Sequence, residues 1–269
     1  MTTVTAGQVK ELRERTGAGM MDCKRALVET NGDMERAIVL LRERGMAQAA
    51  KRAGRETTEG RVGYRLAEDG SMGTMVAIGC ETEPVSKNDE FLAFAKRVLE
   101  VVDAKGVGAE AELEDERVVL SGKLGENIVV AGAARFEAVA GGLVSAYVHA
   151  PANKLGVLVQ VRGGDAELAR LLAMHISWSD PRWIERESVP ADLVQAEREI
   201  ALNSVEVQSK PEQAREKIVE GMLNKRFFAE RGGVLVEQPW IHDGSKSVAQ
   251  VLQEAGAEVL EFQRFSLAG

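Results

Sequence analysis

The sequence is poor in the residues that most often carry chemistry. Its 269 residues include two cysteines, Cys23 and Cys80, and three scattered histidines, His149, His175 and His242. No CxxC pair and no zinc-type His/Cys spacing exists, so neither a metal nor a cofactor is expected. So few cysteines offer no disulfide framework and fit a reducing cytosol. Aromatic residues make up only 4%, too few for a broad base-stacking platform. Positive charge is in deficit, with 34 Lys and Arg against 42 Asp and Glu and a net charge of −8. Binding nucleic acid through bulk electrostatics is therefore not expected. No apolar run approaches the roughly 18 residues that span a bilayer. The Met1–Thr5 stretch lacks the basic and apolar regions of a signal peptide. Together these absences predict a cytoplasmic protein with no membrane partner. Phosphate-cradling glycine loops and the G-x-S-x-G elbow are also missing, and Gly17-Ala18-Gly19 is too short to replace them. No catalytic constellation is found, and an enzyme is not expected.

What remains is an ordinary globular composition, 45% hydrophobic and 28% charged, long enough for a sizeable core. Three helices are predicted over residues 5–53. Thr5 and Gln8 have capping-box spacing. The glycines at 17 and 19 break the first helix. Met20, Cys23 and Leu27 stripe the second, and Met34, Ala37, Ile38 and Leu41 the third, which Asp33 caps. A basic run (Arg42, Arg44, Lys51, Arg52, Arg55) reads as a solvated helix end and linker, with an RNA or acidic-partner contact as the other possibility. Residues 54–60 read as a linker.

A strand–turn–strand over 60–78 recurs at 142–161, and each copy is followed by an amphipathic helix. The first helix carries Phe91, Phe94, Ala95, Val98 and Val102. The second carries Leu168, Leu171, Leu172 and Ile176. The fold class is therefore α+β: a three-helix module and a tandem core of two α+β subdomains, each with a helix over a small antiparallel sheet. Residues 112–122 read as helix and 127–139 as extended chain. Residues 190–228 read as an inserted antiparallel helical hairpin. Leu193, Ile200 and Val207 form its narrow stripe, and a capping box at Ser209–Glu212 starts its second helix. Either the hairpin is self-contained or its stripe meets another protein. The divisions follow as 1–54, 55–141 and 142–269. A helix from Ser245 and a strand over 258–266 close the chain.

The functional candidate is Cys80-Glu81-Thr82-Glu83-Pro84-Val85. It follows an apolar strand and precedes a helix beginning near Asp89, so it forms a loop on a rigid frame. Pro84 cannot continue a ladder, so the strand must end about there. A Cys80/His149 nucleophilic pair lacks an orienting third residue, and a buried structural thiol is the simpler reading. His175 continues an apolar stripe and reads as a packed histidine; His242 reads as a loop residue.

The string Leu12-Arg-Glu-Arg-Thr-Gly-Ala-Gly-Met-Met-Asp-Cys-Lys-Arg-Ala-Leu27 resembles the bacterial translation elongation factor Ts family. Leu124-Gly-Glu-Asn127, Ser145–His149, Ala173–Ile176, Lys217–Gly221 and Gly233–Ile241 extend that resemblance over nearly the whole chain. It implies a ubiquitin-associated-like first module and a guanine nucleotide exchange factor whose partner is elongation factor Tu. Carried across by position, Thr82, Glu83, Pro84 and Val85 would form the loop that disturbs the partner's Mg²⁺ site. Arg13, Met20 and Met21 would touch its GTPase domain, with Met21 the more exposed because Met20 lies on the internal stripe. Ile128 and His149 would face the partner, and Trp240 and Ile241 would reach a second domain. Two departures stand out. The family's usual Asp-Phe is Glu83-Pro84 here, and proline cannot fill an aromatic wedge's slot. That keeps open an adaptor that binds Tu with weak exchange activity. Ending at Gly269, the chain is also expected to lack the C-terminal contact module of longer members. The sequence leaves self-association open.

Overall fold

The computed structural model describes residues 4–267; Met1, the start of the stretch read against a signal peptide, and Gly269 lie outside the described residues. The first three helices are α1 (Ala6–Thr16), α2 (Met20–Glu29) and α3 (Met34–Arg52). Thr5 and Gln8 make the expected capping box. Gly17 closes α1 in the left-handed conformation that a side chain would disfavour, at φ 68°. Val9, Leu12, Cys23, Ala26, Leu27 and Ala37 form a small core of their own. Met20 does not join it. As the first residue of α2, behind an N-cap glycine, it projects past the packed face and is 58% exposed.

The expected basic linker is largely helix, because α3 runs on to Arg52. Its arginines bind within the chain: Arg42 pairs with Asp115, Arg44 with Glu29, and Arg52 donates to the carbonyl of Ser121 at 3.4 Å. Exposed pairs of this kind contribute little stability, about 0–1 kcal/mol each; the Arg44 pair lies within the module, whereas the contacts of Arg42 and Arg52 tie it to the core.

Strands β1 (Glu59–Leu66) and β2 (Met72–Cys80) form the first hairpin. The supposed linker therefore ends before Gly60, which lies inside β1; a Cβ there would sit 2.0 Å from the carbonyl oxygen of Ile78. After β2 come α4 (Glu83–Ser86), α5 (Asp89–Lys105), α6 (Glu114–Leu124) and β3 (Val129–Glu137). The second hairpin is β4 (Gly142–Val148) and β5 (Leu155–Arg162), followed by α7 (Ala166–Ser179). Then come α8 (Ala191–Leu202), α9 (Val205–Gln208), α10 (Glu212–Leu223), α11 (Val248–Glu254) and β6 (Glu258–Ser266). The sheets have equivalent antiparallel orders, β1-β2-β3 and β4-β5-β6, so the repeated unit also includes a third strand that returns after the helices.

The central strands explain the layering. In β2, Val76, Ile78 and Cys80 face Phe91, Phe94, Val98 and Val102 of α5, while Met75 and Ala77 face the other sheet. In β5, Val157, Val159 and Val161 face α7 and Leu158 faces the first sheet. Both strands are buried on both sides, so they read as continuous apolar runs. The core is thus a helix–sheet–sheet–helix stack. Gly73 and Gly156 allow the sheets to close: a Cβ would come within 2.6 Å of Val144 at one and 2.5 Å of Val62 at the other.

The inserted hairpin departs from expectation in two ways. Its helices are joined through the one-turn α9, and α8 packs through Val194 and Ala201, which leaves Ile200 one position off the packed face and exposed. The Ser209 capping box does not form: the Ser209 hydroxyl donates to the carbonyl of Glu206, and Pro211 is the N-cap of α10. Val189, Ala201, Val207, Val219, Leu223, Phe228 and Val234 give the hairpin a core at its base. Among the described residues no helix is long and apolar enough to cross a membrane.

Candidate partner-binding site

β2 ends at Cys80 and the chain enters the single helical turn α4 with Thr82 as its N-cap. The expected loop is thus a turn of helix. Pro84 sits in that first turn, where a missing N–H costs nothing. Amide donors at Ser86 and Asn88 bond back to the carbonyls of Thr82 and Val85 at 3.1 and 3.0 Å. Asn88 then caps α5, accepting from the amides of Glu90 and Phe91.

A four-residue helix is too short to hold itself in water. Neighbouring segments hold this one. Glu126 Oε2 accepts from the amides of Glu81 and Thr82 at 3.0 and 3.1 Å, and its Oε1 accepts from the Thr82 hydroxyl. The exchange is reciprocal: Glu81 Oε1 accepts from the amide of Asn127 at 2.6 Å and pairs with Arg55. Asn127, itself buried, donates its side-chain amide to the carbonyl of Arg55 at 2.9 Å. At the other end Arg61 donates from Nε to the carbonyl of Ser86 at 3.1 Å and from Nη1 to that of Ala152 at 3.0 Å. Of the two carboxylates beside Cys80, Glu81 is structural and only Glu83 is presented.

Thr82, Glu83 and Pro84 are exposed, and Val85 is half-buried against the core beneath α5. Glu83 pairs with Lys87 at 2.7 Å, which holds its carboxyl below the usual range and keeps it ionised. Beside this turn lies the segment from His149 to Lys154, tied to β1 by the Val62 amide on the Asn153 carbonyl at 2.7 Å. The exposed His149 ring bonds the Tyr147 hydroxyl at 2.8 Å through Nδ1. Arg61 therefore joins the Thr82–Val85 turn to the His149 segment as one surface.

Arg13, Met20 and Met21 are exposed on the first module, Met21 at 63%, so both methionines and not Met21 alone are available. Ile128 is not a surface residue. It is fully buried with Ile78, Phe91 and Leu120, because the turn at Gly125–Asn127 leads it inward. Trp240 is also a core residue, 5% exposed and stacked on His175 at 5.2 Å between ring centroids. Ile241, 41% exposed, is the member of that pair that faces outward.

The other candidates settle as structure. Burial pushes the Cys80 thiol up to about 12, and its Sγ lies 3.4 Å from the Thr82 carbonyl, so it is no nucleophile at neutral pH. His175 is fully buried, accepting from the amide of Ile241 at Nδ1 and bonding Gln238 through Nε2. His242 lies in a loop and reaches the carbonyl of Leu171. No group of His, Cys, Asp and Glu among the described residues could hold a metal ion. The brace of Glu126, Asn127, Arg55 and Arg61 has no local signature in the sequence. The sequence marks Leu124–Asn127 only as part of the family resemblance, with nothing to assign Glu126 a partner.

The family profile described as Elongation factor TS matches residues 81–269. A protein named Elongation factor Ts from Thioalkalivibrio sulfidiphilus is 45% identical over 98% of this chain and 92% of its own length. Proteins of the same name from Methylococcus capsulatus and an Enterobacter species are 41% and 42% identical, each covered over 92% of its length. These alignments span 98% and 99% of this chain.

Proposed function

The chain belongs to the elongation factor Ts family, and from that premise we propose that it binds elongation factor Tu and promotes release of GDP during translation in the cytoplasm. The observation that carries the reading is the exposed turn Thr82–Val85, held from both ends on a rigid core. The turn presses on the partner's Mg²⁺ and phosphate site, with Glu83 offering a fixed negative charge. Such a site, built from a metal ion and backbone N–H groups, is sensitive to small displacements. No bond to this chain is made or broken. The work is linkage: a partner that binds nucleotide-free Tu more tightly than GDP-bound Tu weakens GDP by the same factor.

The remaining contacts divide by region. Arg13, Met20 and Met21 dock the first module on the GTPase domain, the two thioethers giving an adaptable apolar contact. His149 extends the surface beside the turn, and Ile241 reaches a second domain. The test is release of a fluorescent GDP from Tu, followed with and without this protein. Accelerated release supports the reading. Complex formation with unchanged release would favour an adaptor, and absence of any complex would remove both.

A further inference from the structure

We propose that Glu126 is a positioning residue for nucleotide exchange: without touching the partner, it sets the height and angle at which the Thr82–Val85 turn is presented. The inference rests on the exchange-factor reading above and adds a residue to its machinery. Glu126 lies 44 residues from Thr82 in the chain, at the end of the turn that leads into β3. One carboxylate serves three donors: the amides of Glu81 and Thr82 and the Thr82 hydroxyl. Those groups are the entry to α4. An N-cap threonine ordinarily turns its own hydroxyl onto the helix amides. Here the Thr82 hydroxyl is given to Glu126 and makes no cap bond. The start of α4 is therefore oriented from outside and not by the helix itself.

Glu126 is in turn fixed. Its carbonyl accepts from the Ser121 hydroxyl, and the next residue, Asn127, is tied to both Glu81 and Arg55. With Arg61 on the Ser86 carbonyl, both ends of the turn are fastened to segments outside it. A turn that pushes on a metal site must not yield when the site pushes back. Small errors in the placement of a reacting or displacing group are costly even when their source lies outside the contact.

The experiment is stopped-flow release of fluorescent GDP from Tu across a range of concentrations of this protein, reading the maximal rate and the half-saturating concentration separately. Glu126→Ala is expected to lower the maximal rate about tenfold or more, with the half-saturating concentration changed by less than about threefold. Glu126→Gln keeps one oxygen for the amide donors and should lose only about threefold in maximal rate. The order wild type, Gln, Ala distinguishes positioning from simple loss of fold, which would raise the apparent half-saturating concentration and leave the maximal rate intact. If thermal melting finds Glu126→Ala unfolded, Glu126→Gln carries the test alone. A Gln variant equal to wild type, or an Ala variant with an unchanged maximal rate, overturns the inference while leaving the exchange reading in place. Wild-type protein that fails to accelerate release removes that reading, and the inference with it.

Discussion

In both halves of the core the central strand runs into the helix that covers its sheet, but the two connections are built differently. β5 reaches α7 through Gly163 and Gly164, both at positive φ, and Asp165 caps the helix at once. β2 reaches α5 by a longer way, through a single turn of helix with no glycine in it. The glycine connection is held by a backbone bond from the Gly163 amide to the Gly141 carbonyl at 3.1 Å. The other is held by side chains from 44 residues later and from β1. The comparison teaches where a repeated unit can carry function. A tight glycine turn presents nothing, whereas a braced turn presents Glu83 and Pro84 to solvent on a fixed support.

The largest effect that would sharpen this contrast lies in the second half. Gly163 has φ 71°, and a Cβ there would sit 2.2 Å from the carbonyl oxygen of Gly256. Gly163→Ala should therefore cost about 3 kcal/mol or more, read as a lowered Tm. Maximal exchange rate per folded molecule should not change. A rate that fell along with stability would break the separation of structure from function between the two connections.

A second contrast concerns what each half buries. The first helix packs on its sheet with apolar groups and Cys80, whereas α7 carries the fully buried His175. Desolvation lowers the pKa of that ring from 6.5 to about 4, so it is neutral in the folded protein at neutral pH. The Ile241 amide already donates to its Nδ1, leaving no acceptor for an added proton. Because the folded pKa lies below the unfolded one, this contribution is complete above about pH 6.5 and is lost as pH falls toward 4. The loss amounts to as much as about 3 kcal/mol. All three tryptophans, Trp178, Trp183 and Trp240, lie in the second half and report on it by fluorescence. Urea midpoints measured between pH 7 and 4 should fall, and a His175→Asn variant, though destabilised throughout, should show a shallower slope. Parallel slopes would assign the acid sensitivity elsewhere.

The smallest effect concerns the presented pair itself. The relatives' usual Asp-Phe, as the resemblance implies, is Glu83-Pro84 here. Restoring Asp-Phe should speed GDP release several-fold, by less than about tenfold, because Glu83 already supplies the charge. No change in rate would mean that no wedge is missing.

Much of this arrangement was legible in the sequence, and the parts that were not share a cause. Strands and helices followed from local periodicity, and so did the burial of Cys80, Phe91, Phe94 and His175. The end of the strand near Pro84 was legible in the residues themselves, and only the role of Thr82–Val85 rests on the resemblance. What failed depended on phase or distance. Met20 fits a helical stripe on paper, but it opens α2 beyond the packed face. Ile200 fits a heptad with Leu193, but α8 turns Val194 and Ala201 to the hairpin core and leaves Ile200 beside that face. Ile128 and Trp240 were read as partner contacts, although burying an aliphatic or aromatic side chain is the commoner use of one. Glu126 could not be read at all, because no local pattern links it to an N-cap 44 residues earlier.

The central claim is that the exposed turn drives exchange while other surfaces hold the partner. Glu83→Gly with Pro84→Gly removes the presented groups and loosens the helical turn without touching a buried side chain. Fluorescent GDP release from elongation factor Tu, measured with saturating amounts of this variant, is predicted to fall about tenfold or more below wild type while the complex still forms. Release at the wild-type rate would contradict the account.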